Sequence, residues 1–227
     1  VYRRNGTRGC NKLAVFAILH KGRMMAGEFS YNGNKYFFLH IPKTGGKMWE
    51  HLFTGIGLTS GHAFVESKPQ GYSFTIIRNP FDRLVSCFCY LKAGGCWSGD
   101  ANDATKYGIT QNTFSDWVKL ASGDPEHYLE QQHVMPMMRR IGKKENFDHI
   151  GLFENLESET RKLYSIIHNQ DLIELERFAN QIEVPIINKS KHNYFEEYYT
   201  EETKNIVANL YKEDITLYKE ILNAQDI

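Results

Sequence analysis

The sequence predicts an α/β fold, a three-layer domain built on a mainly parallel sheet, and three observations carry this. Short apolar runs alternate along the chain with segments of helical periodicity, the pattern of a sheet covered by helices on both faces. One run, Tyr36 to Ile41, stops at Pro42 and passes through Lys43, Thr44, Gly45 and Gly46 into a helical stretch, a P-loop-like strand–loop–helix. A second run, Phe74 to Ile77, delivers Arg78 to the C-terminal end of a strand, where open α/β sheets bind ligands.

The elements follow in order. Residues 1–12 are polar, basic and glycine-containing and read as loose. Residues 13–20 are apolar and fit either strand or helix. Tyr31-Asn32-Gly33-Asn34 reads as a hairpin turn into a strand over 35–41. Trp49, Leu52, Phe53 and Ile56 recur at helical spacing and predict a helix over 47–56. After the Phe74 strand, Asn79 is an N-cap residue, Pro80 suits the first helical position and Asp82 favours the helix dipole. Val85, Phe88 and Cys89 then form one apolar face of a helix over 80–92, with Asp82 and Arg83 read as a surface ion pair. Gly94, Gly95, Gly99 and the polar run to Thr105 read as a loop bordering an acceptor site. Further helices are expected over 113–121, 126–138, 155–168 and 171–181, with a buried strand from Asp148 to Phe153. The last helix has Thr200 as cap, Glu201 and Glu202 at its positive end, and an inner stripe of Val207, Leu210, Tyr211, Tyr218 and Leu222. The expected organisation is an N-terminal extension and hairpin over 1–34 and one domain over 35–227.

Composition narrows the function. Twenty-seven basic and twenty-seven acidic residues cancel, which argues against a general nucleic-acid binder. No run of about 18 apolar residues predicts a membrane span. Cys10, Cys87, Cys89 and Cys96 lack zinc-ligand spacing and read as reduced or buried thiols. In a secretory compartment a Cys10–Cys96 or Cys89–Cys96 bridge stays open. The chain begins at Val1, so a removed leader or anchor would leave no trace, and either a cytoplasmic or a lumenal location is compatible with it.

The Lys43–Gly46 loop has the makings of an anion site. Backbone N–H groups at a helix N-terminus point at the ligand, and glycines let it approach the backbone. A nucleotide-triphosphate loop needs Ser or Thr after Gly-Lys, and a glycine five residues before the last one. Here Met48 follows Gly46-Lys47, and position 41 is Ile41, so magnesium-dependent phosphoryl transfer is disfavoured. Arg78 can hold a phosphate in a bidentate fork. Ser86, about two turns into the next helix, can add a hydroxyl hydrogen bond.

IPKTGG followed about thirty residues later by RNPFDRLVS resembles the sulfotransferases that use 3′-phosphoadenosine-5′-phosphosulfate (PAPS). The similarity is greatest to the carbohydrate branch that includes heparan sulfate 2-O-sulfotransferase. It continues more weakly through HIGLFENLES (149–158) and NKSKHNYFEEYYTEE (188–202), and so covers most of the chain after about residue 35. The resemblance implies that Lys43, Thr44, Gly45 and Gly46 bind the 5′-phosphosulfate, and that Arg78 and Ser86 bind the 3′-phosphate. Lys47 and Met48 stand in the same loop where the family has Ser or Thr; Lys47 either supplies a charge there or points into solvent. Lys189 and Ser190 would cover the 3′-phosphate.

A sulfuryl group carries less charge than a phosphoryl group, so a lysine and backbone donors can stabilise its transfer without a metal. Lys43 is the candidate to stabilise the bridging oxygen as the product 3′,5′-ADP leaves. The candidate base is His62, in the Ser60–Phe64 segment; the carbohydrate branch has a comparable Gly-His pair, and a histidine pKa near 6.5 suits the task. Glu66 is the alternative base, because other branches use glutamate in this region. Strand alternation turns His40 into the core. The acceptor is expected to be a hydroxyl on a glycan or small natural product. Tyr90, Trp97 and Tyr107 either stack on a sugar ring or fill core and surface. Arg139, Arg140, Lys143 and Lys144 either hold an acidic glycan or form a solvated turn. A nucleotide or nucleoside kinase and a non-catalytic nucleotide-binding module are the competing readings. Oligomeric state is left open.

Overall fold

In the computed structural model, residues 27–53, 63–168 and 192–225 are described. The 13–20 segment, the predicted 171–181 helix, Cys10, and the candidates His62, Lys189 and Ser190 lie outside them. Four strands form one sheet in the order β1-β2-β3-β4. β1 (Glu28–Tyr31) and β2 (Asn34–Leu39) pair antiparallel through a hairpin. Asn32 and Gly33 turn it with φ of 50° and 79°, the left-handed pair that matches strand twist. β3 (Tyr72–Ile77) and β4 (His149–Leu152) add in parallel, with Phe38 opposite Phe74 and Ile76 opposite Gly151.

Strand alternation sends neighbouring side chains to opposite faces. Tyr36 and Phe38 join Phe74, Ile76, Met48 and Trp49 on one face. There they meet Leu163 and Ile167 from α7 (Leu156–His168), while Met48 and Trp49 come from α1 (Gly46–Phe53). Phe37 and Leu39 face the other way, against Met137 and Ile141 of α6 (Met137–Ile141) and Leu217 of α9 (Lys212–Gln225). The three layers expected from the sequence are thus present. A third cluster lies among helices: α2 (Pro80–Lys92), α3 (Ser98–Lys106), α4 (Phe114–Gly123) and α8 (Glu201–Leu210).

Several expectations need correction. From Ser98 onward the polar run after Gly94 is not a loop but helix α3, whose sequence SGDANDATK has almost no apolar periodicity to reveal it. Asp100 at its N3 position accepts from the Cys96 and Trp97 amides at 3.0 and 3.1 Å and so satisfies donors at the helix start. The predicted 126–138 helix breaks into the short α5 (Pro125–Tyr128) and α6, with Pro136 as the N-cap of α6. The first two amides of α6 bond instead to the buried Asp214 carboxylate on α9, at 2.7 and 2.8 Å. The last helix divides at Tyr211, whose hydroxyl donates to the Val134 carbonyl at 2.6 Å. Arg83 is not on the surface but fully buried, and Arg140 is buried as well. Tyr107 is core, while Trp97 is exposed. Cys87, Cys89 and Cys96 are free thiols. Among the described residues no helix is long and apolar enough to cross a membrane.

Candidate functional site

β2 ends at Leu39, and the chain turns through Pro42 into α1 with two residues in the left-handed region, Lys43 at φ 69° and Gly45 at φ 82°. For a lysine that conformation costs about 1–2 kcal/mol, so the surrounding contacts must enforce it. The Thr44 hydroxyl, buried, donates back to the Ile41 carbonyl at 2.8 Å. The Met48 amide donates to the Gly45 carbonyl at 2.9 Å. Fully buried Arg83 donates from Nε to the Pro42 carbonyl at 3.1 Å, and from Nη2 to the His133 and Met135 carbonyls at 2.9 and 3.0 Å. The loop is therefore braced from beneath by a side chain that sequence reasoning placed on the surface.

The two glycines do different work. Gly45 supplies the left-handed turn, and a Cβ there would lie 3.3 Å from Phe153 and Leu156. Gly46 is required by a close approach: a Cβ would come within 1.9 Å of the His40 ring. His40 is buried as alternation predicts, stacked on Phe38 with ring centroids 6.2 Å apart.

Arg78 joins the second motif to the first. Its Nη1 donates to the Lys43 carbonyl at 3.1 Å. Its Nε and Nη2 reach Asp82 Oδ2 at 2.8 and 2.7 Å, and its guanidinium lies 4.4 Å over the Phe153 ring. Asp82 thus orients Arg78 rather than pairing with Arg83. The weaker HIGLFENLES stretch also borders this junction, because Glu154 Oε1 accepts the Asn79 amide at 2.8 Å beside Phe153. Asn79 Oδ1 in turn caps α2 by accepting from Phe81 N at 3.0 Å.

Two cations therefore converge at the C-terminal ends of β2 and β3. Burial pushes the Lys43 pKa below that of an ordinary lysine; the neighbouring Cys87 opposes the shift and Arg78 adds to it. The Lys43 Nζ sits 4.4 Å from the centroid of the Tyr90 ring.

The predicted site residues divide clearly. Lys43, Thr44, Gly45, Gly46 and Arg78 come together, and Ser86 is fully buried on α2. Lys47 is exposed. Met48 turns its side chain into the core, 2% exposed, and its amide is bonded to the Gly45 carbonyl. Glu66 is exposed, on the stretch that runs down to Lys68, whose ammonium meets Asp148 beside the start of β3. That is the end of the strand opposite Arg78.

Sequence reasoning missed three residues beside Lys43. Tyr90, read only as a stacking or filler residue, donates its hydroxyl to buried Asp100 Oδ2 at 2.6 Å. Asp100 Oδ1 lies 3.2 Å from His133 Nε2. Burial pushes the His133 pKa down; Asp100 resists the shift, and Lys43 and Arg83 add to it, leaving a neutral imidazole near pH 7. The available signal was Pro136, which rules out the continuous helix that hid His133.

The family model described as the sulfotransferase family matches residues 32–219 of the 227-residue chain. No curated protein and no solved structure matches it. Both the paired loops at the strand ends and this match over most of the chain lead to one conclusion: the protein belongs to the sulfotransferase family.

Proposed function

We propose that this protein transfers a sulfuryl group from PAPS to a hydroxyl of a carbohydrate or small natural product. The observation that supports this most is the convergence of Lys43 and Arg78 on one glycine loop. Lys43 is partly withdrawn from water, and the nearby Arg78 charge, although paired with Asp82, adds to the cost of its ammonium; a bound anion relieves that cost. A doubly phosphorylated nucleotide supplies such charge, and its sulfuryl group is the group transferred.

The chain's own residues then take distinct parts. Arg78 has five N–H donors. Three are held by Asp82 and Lys43, which leaves two for a 3′-phosphate, with Ser86 buried on the same helix as Asp82. The loop amides and Lys43 face the 5′ end, where the ammonium stabilises negative charge on the departing oxygen. His62 takes the acceptor proton. Glu66, the alternative base, is less well supported, since its stretch is tied toward the start of β3. A kinase is disfavoured, because the residue after Lys47 is a core methionine with no hydroxyl to offer magnesium.

The test is acceptor-dependent release of 3′,5′-ADP from labelled PAPS across a panel of glycans and small hydroxyl compounds. Lys43→Ala should lower kcat by about 10²–10³-fold, the scale of losing one preorganised donor, with little change in 3′,5′-ADP affinity. His62→Ala should remove the acidic limb of the pH–rate profile. Near-normal turnover in Lys43→Ala would remove that lysine from the chemistry. Tight 3′,5′-ADP binding without release on any acceptor would favour a non-catalytic binding module.

A further inference from the structure

Among the described residues no carboxylate pairs with the Lys43 ammonium. What faces it instead is an aromatic ring. Tyr90 lies on α2, one turn beyond Ser86, and turns its π face to Lys43 Nζ at 4.4 Å. Its hydroxyl points elsewhere, donating to Asp100 Oδ2 at 2.6 Å and accepting from the Cys96 amide at 2.9 Å. Asp100 is itself immobilised. It is 2% exposed and accepts from two backbone amides, and its Oδ1 meets His133. A Cβ on Gly95 would fall 2.2 Å from its side chain. The His133 ring flanks Tyr90 at a centroid distance of 5.0 Å.

A lysine side chain has four rotatable bonds and loses rotamer freedom when it is held in place. A cation buried without a counter-ion also favours leaving the cleft for water. A ring fixed at its hydroxyl end opposes both tendencies, because its face attracts the charge without neutralising it. We infer that Tyr90, clamped by Asp100, is a positioning residue that holds the Lys43 ammonium in the loop cleft. This rests on the reading of Lys43 as the lysine that acts in sulfuryl transfer. The other groups around Lys43 are Arg78 at the end of β3, Cys87 and Cys89 on α2, Cys96 before α3, and His133. The thiols of Cys87 and Cys89 are pushed up by burial and so offer no fixed negative charge at neutral pH, and burial pushes His133 down toward the neutral form.

The test begins on the full chain without nucleotide, labelled with lysine carrying carbon-13 at the ε position. The Lys43 ε-methylene line, identified by its loss in Lys43→Ala, should be displaced by the ring current of Tyr90. Tyr90→Leu should return it to the position of solvated lysines, and Tyr90→Phe should keep it displaced. In the transfer assay Tyr90→Leu should lower kcat roughly tenfold, within the range of a desolvated cation–π contact, with 3′,5′-ADP affinity unchanged. Tyr90→Phe, which keeps the ring and loses the clamp, should fall less. A displaced line that survives in Tyr90→Leu, or wild-type kcat in that variant, overturns the inference. Should Tyr90→Leu fail to fold, an undisplaced Lys43 line in the wild type overturns it and a displaced one kept by Tyr90→Phe supports it. If the wild type sulfates no acceptor, the functional reading fails separately, while the spectra still decide where Lys43 is held.

Discussion

Arg78→Ala attacks the junction on which the site depends, and its two effects separate cleanly. Arg78 is 8% exposed, and its guanidinium pairs with Asp82 at 2.7 Å, holds the Lys43 carbonyl at 3.1 Å and stacks on Phe153. Its removal leaves the Asp82 carboxylate without its cation, and because that side chain is 19% exposed, water compensates in part. The expected loss of folding stability is about 1–3 kcal/mol, the scale of orphaning one charged hydrogen-bonding group. The second effect is on ligand. A charge-assisted contact to the 3′-phosphate is worth about 2–3 kcal/mol, or about 30- to 150-fold in Kd. The abandoned Asp82 carboxylate adds repulsion on the same side. The nucleotide 5′-AMP lacks the 3′-phosphate and should lose far less. Calorimetry with both nucleotides, on wild type, Arg78→Ala and Arg78→Ala/Asp82→Ala, measures this, and the double variant should recover part of the affinity by removing the repulsion. Equal affinity of wild type for the two nucleotides would refute the reasoning, as would an equal loss for both in Arg78→Ala.

Two further predictions concern stability. Gly46→Ala places a methyl group 1.9 Å from the His40 ring, so His40 must leave its stack on Phe38; a loss of about 1–3 kcal/mol follows from overpacking a closed site. Thermal unfolding beside Gly33→Ala, where a Cβ meets nothing within 4 Å but φ is 79°, distinguishes crowding from backbone strain, and a smaller loss at Gly46 would contradict the close approach. Glu159 is buried under β4, where burial pushes its pKa up; His149 at 2.6 Å, Gln225 at 2.6 Å and the Leu152 amide at 3.3 Å outweigh that and hold it below the ordinary 4.5. A depressed folded pKa means its stabilisation is present above that ordinary value and is lost as pH falls through the folded one. Glu159→Gln should therefore be about 1–3 kcal/mol less stable at pH 7, and denaturant titrations should show the gap closing on acidification; a gap independent of pH would count against the ionised contact.

Local chemistry made much of this protein readable from its sequence. The Asn32-Gly33 hairpin, the Asn79-Pro80 helix start, the Thr200 cap and the break at Pro42 each depend on residues within a turn of one another. The alternation of Phe37 and Phe38 likewise specifies two covered faces. The paired motifs could be recognised for the same reason, since each is a strand end and the loop that follows it. Tertiary structure decided what distant segments bring to that frame. Arg83 braces the loop only because His133 and Met135, about fifty residues away, dock beneath it. Asp100 meets His133 across 33 residues, and Gly46 answers to His40 rather than to a ligand alone. A charged residue at helical spacing reads as solvent-exposed unless its partners are known, and those partners are set by packing rather than by neighbours in the chain. The same limit hid α3, whose only apolar residues are two alanines: its start is held by the Asp100 carboxylate, and that carboxylate is buried where Tyr90 and His133 close over it.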